Sequence, residues 1–177
     1  TQIIDRLFTE YKVSGVYLDQ IGAVHPDLCM DKGHNHLPGG GDWWIKEYNL
    51  LIERACLTKP ENGVFTTEDN AEVYAKYLDG FLTWTWIKDN LVPAFPGVYS
   101  GYVAMLGRNT NGFKKEDTLY FKYHVAQQLL FGEQIGWINS DVIEYPDKLS
   151  FLKKMVRLRY DCSPFFNRGE ILRPPHV

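Results

Sequence analysis

The chain has 177 residues, 45% of them hydrophobic and 23% charged, with a formal net charge of −3. This composition is that of an ordinary globular protein with one sizeable core, and it lacks the basic field that a nucleic-acid partner requires. No apolar run approaches the roughly 18 residues of a membrane span, so we expect neither a membrane nor a nucleic-acid partner. The three cysteines are far apart and form no CxxC pair, which argues against a disulfide framework or a zinc ribbon and leaves the compartment open.

The first half of the chain alternates helices with strands. Residues 3–12 predict the last turns of a helix, and the stretch SGVYLDQ that follows predicts a strand. Residues 23–41 form a long loop rich in Gly, His and Pro, and such loops are usually functional or disordered. Asp42 is placed to N-cap a helix that runs to about residue 58, and GVFTTE, residues 63–68, predicts a second strand.

The second half continues this alternation. Its predicted elements are a short helix from Asn70 to about residue 78, a strand in DGFLTW, a strand in FPGVYSGYV, a helix over residues 117–133, a fifth strand in QIGWI and a helix over residues 147–162. In the helix over residues 117–133, apolar side chains recur at three- and four-residue spacing. The pattern places Leu119, Tyr123, Ala126 and Leu130 on one face of the helix.

Short apolar strands that alternate with helices indicate parallel βαβ units, either in a doubly wound sheet or in part of a (β/α)8 barrel. No glycine-rich dinucleotide-binding turn follows a strand, which weakens the first alternative. Asp19 and Glu68 both lie where a strand gives way to its loop, which is the catalytic side of such barrels. We therefore predict an α/β fold in which residues 1–177 form one partial domain, the C-terminal portion (about five strands) of a TIM (β/α)8 barrel. The remaining strands are expected from a longer chain or from a second chain.

The two carboxylates suit hydrolysis of a glycosidic bond, which needs one carboxyl group to protonate the leaving oxygen and another to attack the anomeric carbon or activate water. Asp19 and Glu68 come from successive strands, so their side chains are expected to converge. Each residue also has a structural alternative, since Asp19 can cap a turn and Glu68 can favour a helix dipole. Asp69 and Glu72 compete with Glu68 for its role.

Several other side chains are candidates for sugar binding. Gln20 is adjacent to Asp19, and the Gly-rich loop that follows carries Asp31, His34 and His36, whose mixed donors and acceptors suit sugar hydroxyls. A metal bound by those last three residues is the less favoured alternative, so no metal or cofactor is predicted. The remaining predicted substrate-binding residues are Trp43 and Trp84, as aromatic platforms, and Arg108, which follows the fourth strand.

The blocks GVYLDQIG, GHNHLPGGGDWW, TTEDNAE, FPGVYSGYVAMLGR and NRGEILRPP, which extend from about Gly15 to Pro175, resemble an uncharacterised family of glycoside-hydrolase-like (β/α)8 barrels. That family is distantly similar to the endo-α-N-acetylgalactosaminidase group of retaining glycosidases. In that group an Asp at the end of the fourth strand is the nucleophile and a Glu at the end of the fifth is the acid/base. The resemblance implies these roles for Asp19 and Glu68, respectively.

Together, the carboxylates at the strand ends and the resemblance predict a glycosidase whose expected partner is a carbohydrate substrate. The resemblance implies an α-linked glycoside and retention, while the residues themselves leave retention and inversion open. A carbohydrate-binding or scaffold barrel without catalytic activity is the alternative from another class of protein. A metal-dependent hydrolase that uses Asp31, His34 and His36 is a second alternative.

Overall fold

The computed structural model describes residues 2–83, 93–110, 117–170 and 172. Within these ranges the strands are β1 (Gly15–Leu18), β2 (Val64–Glu68), β3 (Gly80–Leu82) and β4 (Ala104–Leu106). The α-helices are α1 (Gln2–Thr9), α2 (Trp43–Cys56), α3 (Ala94–Tyr99), α4 (Thr118–Leu130), α5 (Pro146–Asp161) and α6 (Ser163–Arg168). Short 3₁₀ turns occur at Glu72–Tyr74 and Ser140–Glu144.

The fold is α/β, with a four-stranded parallel sheet in the order β1-β2-β3-β4. The register of β1 against β2 extends from Gly15 opposite Val64 to Leu18 opposite Thr67. This arrangement is compatible with part of a (β/α)8 barrel, because neighbouring strands in the sheet are also consecutive in the chain. Assignment to a TIM barrel stays a prediction.

The chain divides into two compact units, Thr1–Gly80 and Phe81–Val177. In the first unit, one face of β2 carries the fully buried side chains of Phe65 and Thr67, and the Phe8 ring of α1 meets Phe65 edge-on at 5.5 Å. The opposite face of β1 and β2 is open, since Tyr17 and Val64 are each 43% exposed. Parallel sheets are normally covered on both faces. The open face is therefore the one that a barrel would enclose.

The second unit is built around α4 and α5. The buried cluster of Phe121, Val125 and Val142 forms its centre, and five partly buried side chains pack against it, namely Ile135, Ile138, Phe151, Leu152 and Met155. None of the described helices in either unit is both long and apolar enough to cross a membrane.

The buried face of α4 is not the face that carries Leu119, Tyr123, Ala126 and Leu130. Leu119 is 81% exposed and Leu130 is 76% exposed, whereas Phe121, Val125 and Leu129 are buried. The helix carries two apolar stripes, and local spacing alone does not distinguish which of them is buried. Which stripe is buried depends on contacts with Val142 and α5, which local spacing cannot reveal.

Two predicted strands are also wrong in detail. The stretch FPGVYSGYV lies mostly in α3, and β4 begins after it, at Ala104. The fifth predicted strand, QIGWI, runs beside β4 and donates one backbone hydrogen bond from Gln134 to Met105, but it is not a strand. Its extended pairing is interrupted because Gly136 donates its N–H to the Gln128 side chain and Trp137 has a left-handed backbone (φ 57°).

Candidate functional site

Asp19 and Glu68 lie at the carboxyl ends of the adjacent strands β1 and β2. Glu68 is the last residue of β2 and is only 6% exposed, whereas Asp19 directly follows β1 and is exposed. The register of β1 against β2 ends at Leu18 opposite Thr67, and Asp19 lies in the turn that begins just after it. Since side chains alternate along a strand, Glu68 belongs to the open face that also carries Tyr17 and Thr66.

The carboxylate of Glu68 accepts two hydrogen bonds from β1 and the loop after it. The Gln20 amide donates to Oε1 at 2.7 Å, and the Tyr17 hydroxyl donates to Oε2 at 3.3 Å. Two donors on two oxygens fix the plane of the carboxylate. The predicted residues Gln20 and Glu68 are thus brought together.

The surroundings of Tyr17 raise the pKa of its phenol. Burial raises the pKa of the Tyr17 phenol, and the charge and hydrogen bond of Glu68 raise it further. The charges of Asp19 and Asp69 act in the same direction. Of these three carboxylates, Glu68 accepts the hydrogen bond from the phenol hydroxyl.

Both strands are followed by a residue with a left-handed backbone, which L-amino acids other than Asn and Asp rarely adopt. Gln20 has φ 66° and Asp69 has φ 58°. Such conformations cost about 1–3 kcal/mol each and cluster at functional sites. Asp69 is half-buried, and burial raises the pKa of its carboxyl group.

The glycine that ends GVYLDQIG allows the chain to pass close to β2. A Cβ atom on Gly22 would collide with the backbone oxygen of Glu68. The Gly22 N–H donates to the Thr67 hydroxyl at 3.3 Å, and that hydroxyl donates to the Leu18 carbonyl at 2.6 Å. These bonds tie the loop after β1 to the end of β2, next to Glu68.

The loop between β1 and α2 carries the candidates Asp31, His34 and His36, and Cys29 lies close to His34. The Cys29 sulfur lies 3.1 Å from Nδ1 of His34, and Asp31 Oδ2 lies 3.5 Å from Nε2 of the same ring. The His36 ring stacks on Trp43, with centroids 4.5 Å apart and planes 8° from parallel. A histidine therefore already occupies one face of the Trp43 ring, the predicted sugar platform.

Arg108 is placed in the second unit, in an internal ion pair. It is 2% exposed, and its guanidinium donates to both oxygens of the fully buried Glu133, at 2.7–3.1 Å. Burial raises the pKa of Glu133, and Arg108 opposes the rise. The sugar-binding role of Arg108 stays a prediction, and Trp84 lies outside the described residues.

Two residues of these clusters were missed by the sequence analysis. Tyr17 pairs with Thr66, two positions before Glu68, so Tyr17 lies on the same face of the sheet as Glu68. Cys29 is five positions from His34 in a loop rich in metal-ligand side chains. The sequence shows the spacing in both cases. It does not show the loop conformation that brings Cys29 close to His34.

Comparison with known proteins places these features in a family. A "Putative glycoside hydrolase" from Bacteroides thetaiotaomicron is 33% identical over 181 residues, which covers 95% of this chain and 26% of the relative. A "Putative glycoside hydrolase 22789" from Monosiga brevicollis is 33% identical over 155 residues, which covers 81% of this chain and 13% of the relative. The chain thus spans about a quarter or less of the curated relatives it matches, and no solved structure matches it.

A family model described as "Domain of unknown function (DUF6259)" matches residues 1–110, which contain all of the first unit and both carboxylates. The match covers more than half of the chain's 177 residues. The protein therefore belongs to the DUF6259 family.

Proposed function

We propose that the chain forms part of a glycoside hydrolase that cleaves an α-linked glycoside with retention. Asp19 acts as the nucleophile and Glu68 as the general acid/base. The observation that supports this most strongly is the position of the two residues at the carboxyl ends of the adjacent parallel strands β1 and β2. The names of the two curated relatives support the class of reaction. The resemblance to endo-α-N-acetylgalactosaminidase-type enzymes supports the retaining outcome.

In this mechanism, Asp19 attacks the anomeric carbon while the acid/base residue protonates the leaving oxygen. The same residue then removes a proton from the water that hydrolyses the glycosyl-enzyme. The hydrogen bonds from Gln20 and Tyr17 hold the Glu68 carboxyl group in one orientation for both proton transfers.

Asp69 is the second candidate for the proton-donating role. Burial raises the pKa of its carboxyl group, and an acid that keeps its proton at higher pH is a better donor to the leaving oxygen. Asp69 directly follows Glu68 in the chain, and its charge also raises the pKa of Tyr17. The two candidates are distinguished by their variants, Glu68→Gln and Asp69→Asn.

The test uses the full-length protein and a panel of nitrophenyl α-glycosides. Asp19→Asn is expected to reduce turnover to the background rate, while the control Asp27→Asn, an exposed residue of the same loop, keeps wild-type turnover. A fluorinated glycosyl fluoride that traps the intermediate is expected to label the peptide carrying Asp19. Undiminished turnover by Asp19→Asn removes this residue from catalysis.

The acid/base residue is identified by dependence on the leaving group. Its loss should lower hydrolysis of glycosides with poor leaving groups by about 10²–10⁴-fold and affect activated aryl glycosides much less. We expect this pattern for Glu68→Gln. If it is found for Asp69→Asn instead, the proton donor is Asp69.

A non-catalytic carbohydrate-binding barrel remains the alternative. Its supporting observation is the open face of β1 and β2, where exposed Tyr17 can stack on a sugar. Sugar binding without turnover, unaffected by conservative changes at Asp19 and Glu68, would replace the enzyme with this binding protein. In either case we propose that strands from a longer chain or a second chain complete the barrel.

A further inference from the structure

We propose that Cys29, His34 and His36 form a zinc site in the loop between β1 and α2. One ligand atom from each of these residues lies within 4.8 Å of the other two. Atoms bound to one tetrahedral zinc ion lie about 3.3–3.7 Å apart, given metal–ligand bonds of about 2.0–2.3 Å. A small contraction of the loop therefore brings the three atoms to bonding distance.

The hydrogen bonds of His36 leave one nitrogen available for a metal. Its Nδ1 lies 2.9 Å from the Leu37 carbonyl oxygen, and an oxygen can only accept, so the proton is on Nδ1. Nε2 then carries a lone pair, and it is buried with no hydrogen-bond partner among the described residues. A buried acceptor without a donor is costly, and a bound cation would satisfy it.

His34 has a matching arrangement through Asp31. The Asp31 carboxylate lies 3.5 Å from Nε2 of His34 and so favours the proton on that nitrogen. The lone pair is then on Nδ1, which faces the Cys29 sulfur at 3.1 Å. A carboxylate that orients a histidine from the far side is the usual companion of a zinc ligand.

The backbone of the loop holds this arrangement in place. Gly39 donates its N–H to the Cys29 carbonyl at 2.6 Å, and Gly33 donates to Asp31 Oδ1 at 2.7 Å. Trp43 stacks on His36 and fixes the orientation of its ring. The loop is thus closed at its ends and ordered at two of the three ligands.

The ligand set selects the metal. A thiolate with two imidazoles favours zinc over magnesium or calcium, which require oxygen ligands. Three protein ligands leave a fourth position for water, so the site is not a closed four-residue cage. This site differs from the metal alternative of the sequence analysis, because Cys29 is a ligand and Asp31 orients His34.

The test measures metal binding by the full-length protein, with no glycoside present. Purified protein is stripped with a chelator and titrated with Zn²⁺, and bound metal is counted by elemental analysis. Co²⁺ is then used as a probe, because thiolate ligation gives it a charge-transfer band in the near ultraviolet. We expect Cys29→Ser and His36→Ala each to bind one equivalent of Zn²⁺ less than wild type and to lose the band.

Matched controls are available for each ligand type. His25→Ala removes an exposed histidine of the same loop, and Cys56→Ser removes a half-buried cysteine whose pKa is raised by burial. Both are expected to keep wild-type stoichiometry. Asp31→Asn is expected to keep the stoichiometry and weaken Zn²⁺ affinity by about 10- to 100-fold.

Equal zinc content in wild type, Cys29→Ser and His36→Ala overturns the proposal, as does a Co²⁺ spectrum without the thiolate band. Because both readouts are binding measurements, they are independent of whether Asp19 and Glu68 are catalytic.

Discussion

The side-chain amide of Gln20 donates a 2.7 Å hydrogen bond to Oε1 of Glu68, and Gln20 has a left-handed backbone with φ 66°. One residue thus orients the candidate acid/base and carries the backbone strain beside it. The energetic cost of its conformation and the benefit of its hydrogen bond can be separated by substitution.

Gln20→Gly should be more stable than Gln20→Ala, and both variants should lower activity. Glycine adopts a positive φ without the steric cost of about 1–2 kcal/mol that other residues bear, but it removes the amide that fixes Glu68. We expect a higher urea midpoint than for Gln20→Ala and a lower kcat for both variants. Lys12→Gly is the control, because Lys12 is exposed and also left-handed (φ 55°), so it should gain stability with no change in kcat. Wild-type kcat in both Gln20 variants would show that this amide does not position Glu68.

Gly22→Ala should destabilise the first unit. The added methyl group meets the Glu68 backbone oxygen, so the loop or the end of β2 must move, at a cost of about 1–3 kcal/mol. Urea unfolding followed by circular dichroism measures the change. Gly40→Ala in the same loop is the control, since its Cβ would make only an ordinary 3.6 Å contact with Leu28. Equal stability of the two variants would contradict the close approach.

Asp69 should make stability fall as the pH rises through the acid range. Burial raises its pKa in the folded chain, so the folded state holds the proton more tightly than the unfolded state. The unfolded state ionises first, at about pH 3.9, and the resulting loss of stability is complete above the folded pKa. Asp69→Asn removes this contribution and keeps a side chain that tolerates φ 58°.

The expected result is that Asp69→Asn gains stability relative to wild type as the pH rises across this window. Urea midpoints measured at a series of acid pH values provide the readout. Asp27→Asn, at an exposed position, should give a constant difference from wild type. A constant difference for Asp69→Asn as well would mean that the pKa of Asp69 is ordinary.

Glu133→Gln should lower the free energy of unfolding far more than the loss of a surface ion pair does. The variant removes the buried carboxylate that balances the Arg108 charge, and breaking such a pair typically costs about 3–5 kcal/mol. Asp161→Asn breaks the exposed pair with Arg157 and should cost about 0–1 kcal/mol. Denaturant unfolding compares the two, and similar costs would show that the Arg108–Glu133 pair contributes little.

The sequence predicted the elements whose signals are local. The helices α1, α2, α4 and α5 and the strands β1, β2 and β3 were predicted with boundary errors of a few residues. The sequence did not reveal which of the two apolar stripes of α4 is buried. Phe121 and Leu119 differ in their tertiary contacts, which local spacing does not show. The QIGWI strand failed for a related reason, since a distant side chain, Gln128, takes one of its backbone donors.

The sequence predicted which residue types of the candidate site lie at the strand ends. It did not predict the contacts between their side chains. The hydrogen bond between Gln20 and Glu68 depends on the left-handed backbone of Gln20. The usual sequence signal for that conformation is a glycine, and this position has none. The approach of Cys29 to His34 depends on the backbone bridge to Gly39. Both contacts follow from loop conformation, which periodicity does not encode.

The bridge between Cys29 and Gly39 also bears on the order of folding. It closes a short loop in which Cys29 and His34 are five positions apart, whereas the contact of Thr67 with Leu18 joins residues 49 positions apart. Short loops close within about 10–100 ns, and contacts distant in sequence form more slowly. The loop can thus take its shape before β1 and β2 pair. The sheet then forms next to a loop that is already ordered at its carboxyl end.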